Sequence, residues 1–159
     1  MVELRRITSE NFDAIVALQV AESQKGFVSP NSRSIMDAHL AITNNEIAIT
    51  FGIYANDVLV GCTILTYGVK EDTVMPSVAY RNYYIWQFMI DEAYQRKGYG
   101  KQALNLLIDY MRTSPCGEAK SCWASYTRGN KGAKDFFEEC GFQENGETVF
   151  GEIVATRHL

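Results

Sequence analysis

Two glycines and three cations fall within one six-residue stretch, Arg96-Lys97-Gly98-Tyr99-Gly100-Lys101. Before it runs an apolar segment, Tyr83 to Ile90, rich in aromatic and β-branched residues, which reads as a buried strand. After it, Leu104, Leu107, Ile108 and Met111 mark one face of a helix. The unit is therefore strand, cationic glycine turn, amphipathic helix. The first N–H groups of a helix lack internal partners, and the helix dipole leaves that end partly positive. Glycines without Cβ let a ligand approach the backbone, and Arg96, Lys97 and Lys101 add charge beside it. Such a helix start is an anion site, best suited to phosphate.

Three phosphate motifs compete for this stretch. A Walker loop needs Gly-x-x-x-x-Gly-Lys-Ser/Thr, but Gln102 follows Gly100-Lys101 and no glycine stands five places before Gly100. The dinucleotide fingerprint is met in form by Gly98, Gly100 and Ala103, with Glu118 at about the expected distance downstream. Glu118, however, follows Ser114-Pro115-Cys116-Gly117, ahead of the next strand rather than at its end, and the motif sits mid-chain. The third pattern is Gln/Arg-x-x-Gly-x-Gly/Ala, and Gln95-Arg96-Lys97-Gly98-Tyr99-Gly100 meets every fixed place. In this the sequence resembles the GCN5-related N-acetyltransferases (GNAT), whose pyrophosphate loop it is.

The elements that must position this loop fit one domain over residues 1–159. An apolar fraction of 47% with 21% charged residues is that of a globular chain with a core. A net charge of −4 argues against bulk nucleic-acid binding. No apolar run approaches a membrane span or a signal peptide. Cys62, Cys116, Cys122 and Cys140 lack metal-ligand spacing, and the two histidines, His39 and His158, form no cluster with them. Free thiols, no metal and a cytoplasmic location are expected.

Val2 to Ile7 reads as a first strand. Thr8 or Ser9 would cap a helix carrying Phe12, Ile15, Val16 and Leu18 to Val20. A loop from Ala21 follows, and Ser32 or Ser34 opens a second helix to about Ile42. Ile47 to Tyr54 and Val58 to Tyr67 are strands joined by Asn56-Asp57. A polar loop over Lys70 to Ser77 leads to a central strand, Ala79 to Ile90. The cationic helix runs to about Arg112, Ser121 to Ser125 is a strand, and Asn130 to Cys140 is a helix closed by Gly141. Thr148 to Ala155 reads as a last strand. The fold class is α/β, a mixed central sheet with helices on both faces, antiparallel before its centre.

The resemblance extends to a second motif. After the glycine loop the family has a strand, then a helix starting near Asn and ending in an apolar pair, three residues, Gly and Phe. Asn130 to Phe142, with Phe136-Phe137 and Gly141-Phe142, matches it. The resemblance implies splayed central strands with acetyl-CoA in the gap. Phe88, Met89 and Ile90 would pair with the pantetheine arm, and the N–H groups from Gln95 through Arg96, Lys97, Gly98, Tyr99 and Gly100 to Lys101 would hold the pyrophosphate. Asn130, Ala133, Lys134 and Phe137 would meet the arm and thioester region. It further implies direct attack by an amine in a ternary complex, with a backbone N–H near the central strand holding the oxyanion. Many members carry Tyr where Phe137 stands, so the acid is sought elsewhere, at Tyr94, Tyr126 or water. The base is sought at Glu22, Asp91 or Glu92. The stretch from Glu22 to Ser32 resembles the matching loop of bacterial spermine/spermidine acetyltransferases, as does Phe88 to Gly100. That implies a small polyamine acceptor, with Glu22 as its contact and Tyr84 and Trp86 as aromatic faces for a cation. A protein N-terminus, a lysine, an aminoglycoside and a non-catalytic acyl-CoA module remain alternatives. Homodimers are frequent in the family, and one is expected.

Overall fold

Seven strands form one sheet in the order β1-β2-β3-β4-β5-β7-β6. The structure is a computed structural model and describes residues 1–69 and 74–159. The loop expected over Lys70 to Ser77 lies partly outside the described residues. β1 (Val2–Arg6), β2 (Ala48–Ala55), β3 (Val58–Tyr67) and β4 (Tyr83–Ile90) are antiparallel neighbours. β4 meets β5 (Ser121–Thr127) in parallel, and β5, β7 (Glu152–His158) and β6 (Gln143–Val149) are again antiparallel. Asn56 and Asp57 take φ of 48° and 65°, the two-residue turn whose twist suits a hairpin between β2 and β3.

Helices cover both faces. On one, α3 (Tyr99–Arg112) buries Leu104, Leu107, Ile108 and Met111 against Ile49, Phe51, Leu65, Tyr83 and Ile85, joined by Phe137 and Cys140 from the helix that follows β5. Each fully buried side chain of this size contributes about 1.5–3 kcal/mol. On the other face, α1 (Phe12–Ala17) packs Ile15 with Val20, Cys62 and Met89, beside α2 (Asn31–Thr43). No helix among the described residues is long and apolar enough to cross a membrane.

β4 serves both faces because it is bulged. Ile64 stands opposite Gln87 and Leu65 opposite Ile85, so Trp86 is an extra residue in the ladder. In a regular strand Ile85, Gln87 and Met89 would share a face. The bulge switches the phase. Tyr83 and Ile85 pack on the α3 side, whereas Met89 packs with Ile15 and Cys62, and Gln87 bonds Ser29 and Asn31 at the start of α2.

Several sequence expectations are corrected here. α1 ends at Ala17 rather than reaching Val20, because Leu18 turns extended. The backbone at Gln19 instead bonds the start of the glycine loop, its N–H to Asp91 Oδ2 (2.9 Å) and its C=O to the Glu92 N–H (2.8 Å). Neither Thr8 nor Ser9 is the N-cap of α1; Asn11 is, and Thr8 Oγ1 accepts from the Glu10 N–H one turn earlier. The central strand begins at Tyr83, not Ala79, since Ser77–Ala79 is a 3₁₀ turn and Arg81 takes φ 56°. The single last strand is two, β6 and β7, reversed at Phe150-Gly151 with φ of 50° and 80°. A bulky residue at positive φ is uncommon, which hides this turn from a reading by residue type.

Candidate active site

β4 and β5 pair only at Tyr83 with Cys122 and at Tyr84 with Trp123. Beyond that fork they part, leaving one side of β4 from Ile85 to Ile90 without a neighbouring strand. A cleft of about 740 Å³ opens there. Its walls are Phe88, Met89 and Ile90 of β4, the turn from Tyr94 to Lys101, and the first turns of α4 (Lys131–Glu139), from Asn130 to Phe137. Val20, Ser23, Gln24, Phe27 and Val28, between α1 and α2, close the remaining side.

The glycine loop is held from below. Asp91 Oδ1 accepts from the Ala93 N–H (3.0 Å), which fixes the 3₁₀ turn Glu92–Tyr94. Gln95 Nε2 donates to the Ile90 C=O (2.8 Å) and to Gln24 Oε1 (2.7 Å), tying the loop to β4 and to the α1–α2 connection. Arg96 and Gly98 then take φ of 59° and 81°. The first intrahelical bond of α3 runs from the Gln102 N–H to the Gly98 C=O (3.2 Å). The N–H groups of Tyr99, Gly100 and Lys101 thus precede the helix ladder and are the orphan donors of a helix start. Gly100 is close-packed, since a Cβ there would lie 3.3 Å from Phe136 Cε2 and 3.5 Å from Ile90 Cγ1. Lys131 pairs with Asp135 (2.6 Å), while Arg96 and Lys101 have no ionic partner among the described residues. The arrangement can cradle a diphosphate and feed an extended chain along β4.

A second cleft, about 1210 Å³, shares Phe27 with the first and lies around the fork. Tyr84, Trp86, Gln87 and Ser125 line it, with the carboxylates Asp37, Glu46, Glu118 and Glu152 and one guanidinium, Arg81.

The model of the acetyltransferase (GNAT) family matches residues 12–142. The chain belongs to that family. It is 29% identical over 161 residues to the spermine/spermidine N(1)-acetyltransferase of Bacillus subtilis, covering 99% of each chain. Its fold matches the PaiA N-acetyltransferase of Thermoplasma acidophilum bound to coenzyme A, with a TM-score of 0.70 at 14% identity, over 100% of this chain and 99% of that one. An aminoglycoside acetyltransferase bound to coenzyme A gives a TM-score of 0.73 at 14% identity, over 99% and 95% of the two chains. The protein is an N-acetyltransferase with acetyl-CoA as cosubstrate and an amine as acceptor.

Most residues expected at the acetyl-CoA site meet in the first cleft: Phe88, Met89, Ile90, Gln95, Arg96, Gly98, Gly100, Lys101, Asn130, Ala133 and Phe137. Three side chains do not. Lys97 Nζ turns back to the Ala93 C=O (2.9 Å) and over the Tyr94 ring, Tyr99 packs against the cluster of Val2, Ile53, Ala55, Val60 and Ala103, and Lys134 pairs with Glu138 and Glu144. The Asn130 side chain is engaged as the cap of α4, accepting from the Ala133 N–H (3.1 Å). Phe136, Gly132 and the segment Val20 to Val28 were missed as lining; the glutamine pair Gln24–Gln95 was the available signal, but only the fold brings it together.

The expected acids and bases are dispersed. Tyr94 lines the first cleft at the glycine-loop end, about 20 Å along β4 from the fork. Tyr126 does not line the cleft; its hydroxyl donates to Glu144 Oε1 (3.1 Å), and burial with that carboxylate pushes its phenol up to about 12. Phe137 is 7% exposed and packed edge-on to Phe142, so it is a wall and no proton donor. Glu22 points to solvent, paired with Lys25 (2.6 Å), and lines neither cleft. Asp91 spends both oxygens on the Gln19 and Ala93 N–H groups.

Two predictions arise here. Lys134 (3.1 Å), then the Tyr126 hydroxyl, hold the Glu144 carboxyl below its ordinary range. A depressed carboxyl adds stability above its unfolded pKa, about 4.3, and loses it as pH falls through the folded value. Glu144→Gln should therefore lower the melting temperature slightly at neutral pH and flatten its decline below about pH 4.5, the two proteins converging in acid. Second, burial pushes the Cys62 and Cys122 thiols up to about 12, while Cys116 alone of the four cysteines is partly exposed. Disulfide-exchange labelling of the native protein should modify at most Cys116 quickly, and all four only in denaturant.

Proposed function

We propose that the acceptor is a small polyamine of the spermidine or spermine type, entering by the second cleft. The observation that carries this reading is the charge contrast between the two clefts. Arg96 and Lys101, without an ionic partner among the described residues, flank the helix start in the first, whose carboxylates are Asp135, paired with Lys131, and Glu139. Among the described residues that line the second, four carboxylates, one of them (Asp37) already paired with Arg33 at 2.9 Å, face one guanidinium. An anionic cosubstrate and a cationic acceptor would be drawn to opposite sides of the β4–β5 fork. The likeness over nearly the full length to a spermine/spermidine acetyltransferase points the same way.

In this reading the N–H groups from Gln95 to Lys101 hold the diphosphate of acetyl-CoA, and the open edge of β4 at Phe88 to Ile90 takes its arm. The cosubstrate supplies an acetyl thioester to the fork. A backbone N–H of β4 near the Trp86 bulge holds the acyl oxygen as charge develops on it. Tyr84 and Trp86 offer ring faces to the amine at the fork, and Asp37, Glu46 and Glu118 offer charge to its far end. The cation contact assigned by sequence to Glu22 thus passes to these carboxylates.

The test is coenzyme A release, read with a free-thiol reagent, for spermidine, spermine, putrescine, an aminoglycoside and a lysine peptide. Release with spermidine and spermine well above the others is expected. Release with the peptide or the aminoglycoside alone would overturn the polyamine assignment.

A further inference from the structure

At the apex of the fork three polar side chains form a chain of hydrogen bonds that no part of the acetyl-CoA site uses. The Tyr84 hydroxyl lies 2.9 Å from Ser125 Oγ, and Ser125 Oγ donates to Glu152 Oε2 at 2.6 Å. Three strands contribute one residue each. Tyr84 stands at the last paired position of β4, stacked on Trp123 of β5 at 3.9 Å between ring centroids. Ser125 is two residues further along β5, just past the fork. Glu152 opens β7 opposite Thr127, on the same face as Ser125. All three line the second cleft and are partly exposed.

The direction of the chain follows from its chemistry. An ionised carboxylate only accepts, so the single Ser125 proton goes to Glu152. The Tyr84 phenol must then donate to Ser125, and burial favours its protonated form. Its oxygen keeps a lone pair that no bond among the described residues uses, and Tyr84 lines the cleft. The chain is thus a wire with an acceptor at each end and a fixed polarity, and its far end is a base.

We infer that Tyr84, Ser125 and Glu152 form the relay that deprotonates the acceptor amine. The ammonium gives a proton to Tyr84 Oη as Tyr84 gives its own to Ser125 Oγ and Ser125 gives its own to the Glu152 carboxylate. The products are a neutral amine, an unchanged tyrosine and serine, and a protonated Glu152 that returns its proton to solvent. An amine of this kind has a pKa near 10, so at neutral pH about one molecule in 10³ is neutral without help. The other groups of this cleft that titrate or carry charge are Asp37, Glu46, Arg81, Glu118, Cys116, Tyr67 and Tyr80. None of them is bonded to Tyr84 or Ser125 among the described residues. The relay rests on the acceptor entering by the second cleft, but not on its being a polyamine.

The experiment measures kcat and KM against pH for Ser125→Ala, Glu152→Gln, their double variant and Ser125→Thr. The amine used is whichever of the panel turns over fastest, so failure of the polyamine assignment shows separately, in the wild-type panel. General base catalysis contributes about 10²-fold or more. Ser125→Ala and Glu152→Gln should each lower kcat about 10²-fold near pH 7, with acetyl-CoA affinity and melting temperature close to wild type. The loss should shrink as pH rises toward the amine's own pKa. The double variant should be no slower than the singles, since members of one relay are not additive. Ser125→Thr, which keeps the hydroxyl, should recover most of the rate. A rate defect equal at every pH, a change in amine KM alone, or wild-type kcat in Ser125→Ala would each overturn the relay.

Discussion

Gly98→Val should raise the dissociation constant for acetyl-CoA about 10²-fold or more, a loss of at least about 2.7 kcal/mol. Gly98 takes φ 81° at the residue before α3, where an L side chain costs about 1–2 kcal/mol and a β-branched one more. The protein itself leaves room there, the nearest atom to a built Cβ being Gln102 Nε2 at 3.7 Å. The damage is therefore not crowding of the core. A valine would relieve its strain by rotating the peptides on either side, which turns the orphan N–H groups of the helix start away from a common point. It would also stand where a phosphate must reach them. Because Gly98 is exposed, the melting temperature should fall by only a few degrees, as about 1–2 kcal/mol implies for a chain of this size. Isothermal titration with acetyl-CoA and a thermal melt separate the two effects. Wild-type affinity in Gly98→Val would remove the diphosphate from this loop. Gly100→Ala is the contrasting case: its φ is ordinary, and its Cβ would press on Phe136 and Ile90, so stability should suffer along with affinity.

The glycine loop was legible in sequence because its physics is local. Turn, dipole and cations all lie between Gln95 and Lys101, and α3 announces itself by the spacing of Leu104, Leu107, Ile108 and Met111. The fork was legible only through the family resemblance, since nothing in Tyr84 or Trp123 alone says that a ladder stops there. The bulge at Trp86 is silent too, because burial alternates along β4 as in a regular strand while the face it serves changes. The Tyr84–Ser125–Glu152 chain was beyond sequence reading for a different reason. Its members come from three strands, and Glu152 reaches the fork only because Phe150-Gly151 turns β6 back into β7. Reading Thr148 to Ala155 as one strand put no turn before Glu152 and gave it no role. The position of Glu22, outside both clefts, has the same root. Loop carboxylates near a recognised motif attract attention, yet which of them faces a cleft depends on how the loop is pinned.

The pin is Asn31, and Asn31→Ala should destabilise the protein by about 2–4 kcal/mol while raising the acceptor KM. Asn31 is 4% exposed at the first position of α2. Its Nδ2 donates to the Ile15 C=O at the end of α1 (2.8 Å), and its Oδ1 accepts from Gln87 Nε2 on β4 (3.3 Å) and from the Cys62 thiol on β3 (3.1 Å). One buried amide therefore joins α1, α2, β3 and β4. Alanine removes the donor and the acceptor together and leaves a small cavity. A buried polar group left without its partner costs about 1–3 kcal/mol, reduced here because Ile15 and Gln87 each keep a second bond, to the Leu18 N–H and the Ser29 C=O. At about 2–4 °C per kcal/mol for a chain of this length, the melting temperature should drop by roughly 5–15 °C. The kinetic consequence follows from where the loosened segment lies. Phe27 and Ser29, just before Asn31, line the second cleft, and Phe27 is shared with the first. The glycine loop is tied separately, through Gln24, Gln95 and Asp91. Acceptor KM should thus rise more than the acetyl-CoA dissociation constant. A melting temperature within a degree of wild type would show that the pin carries no weight. Equal losses for both ligands would show that the two clefts are held by one support rather than two.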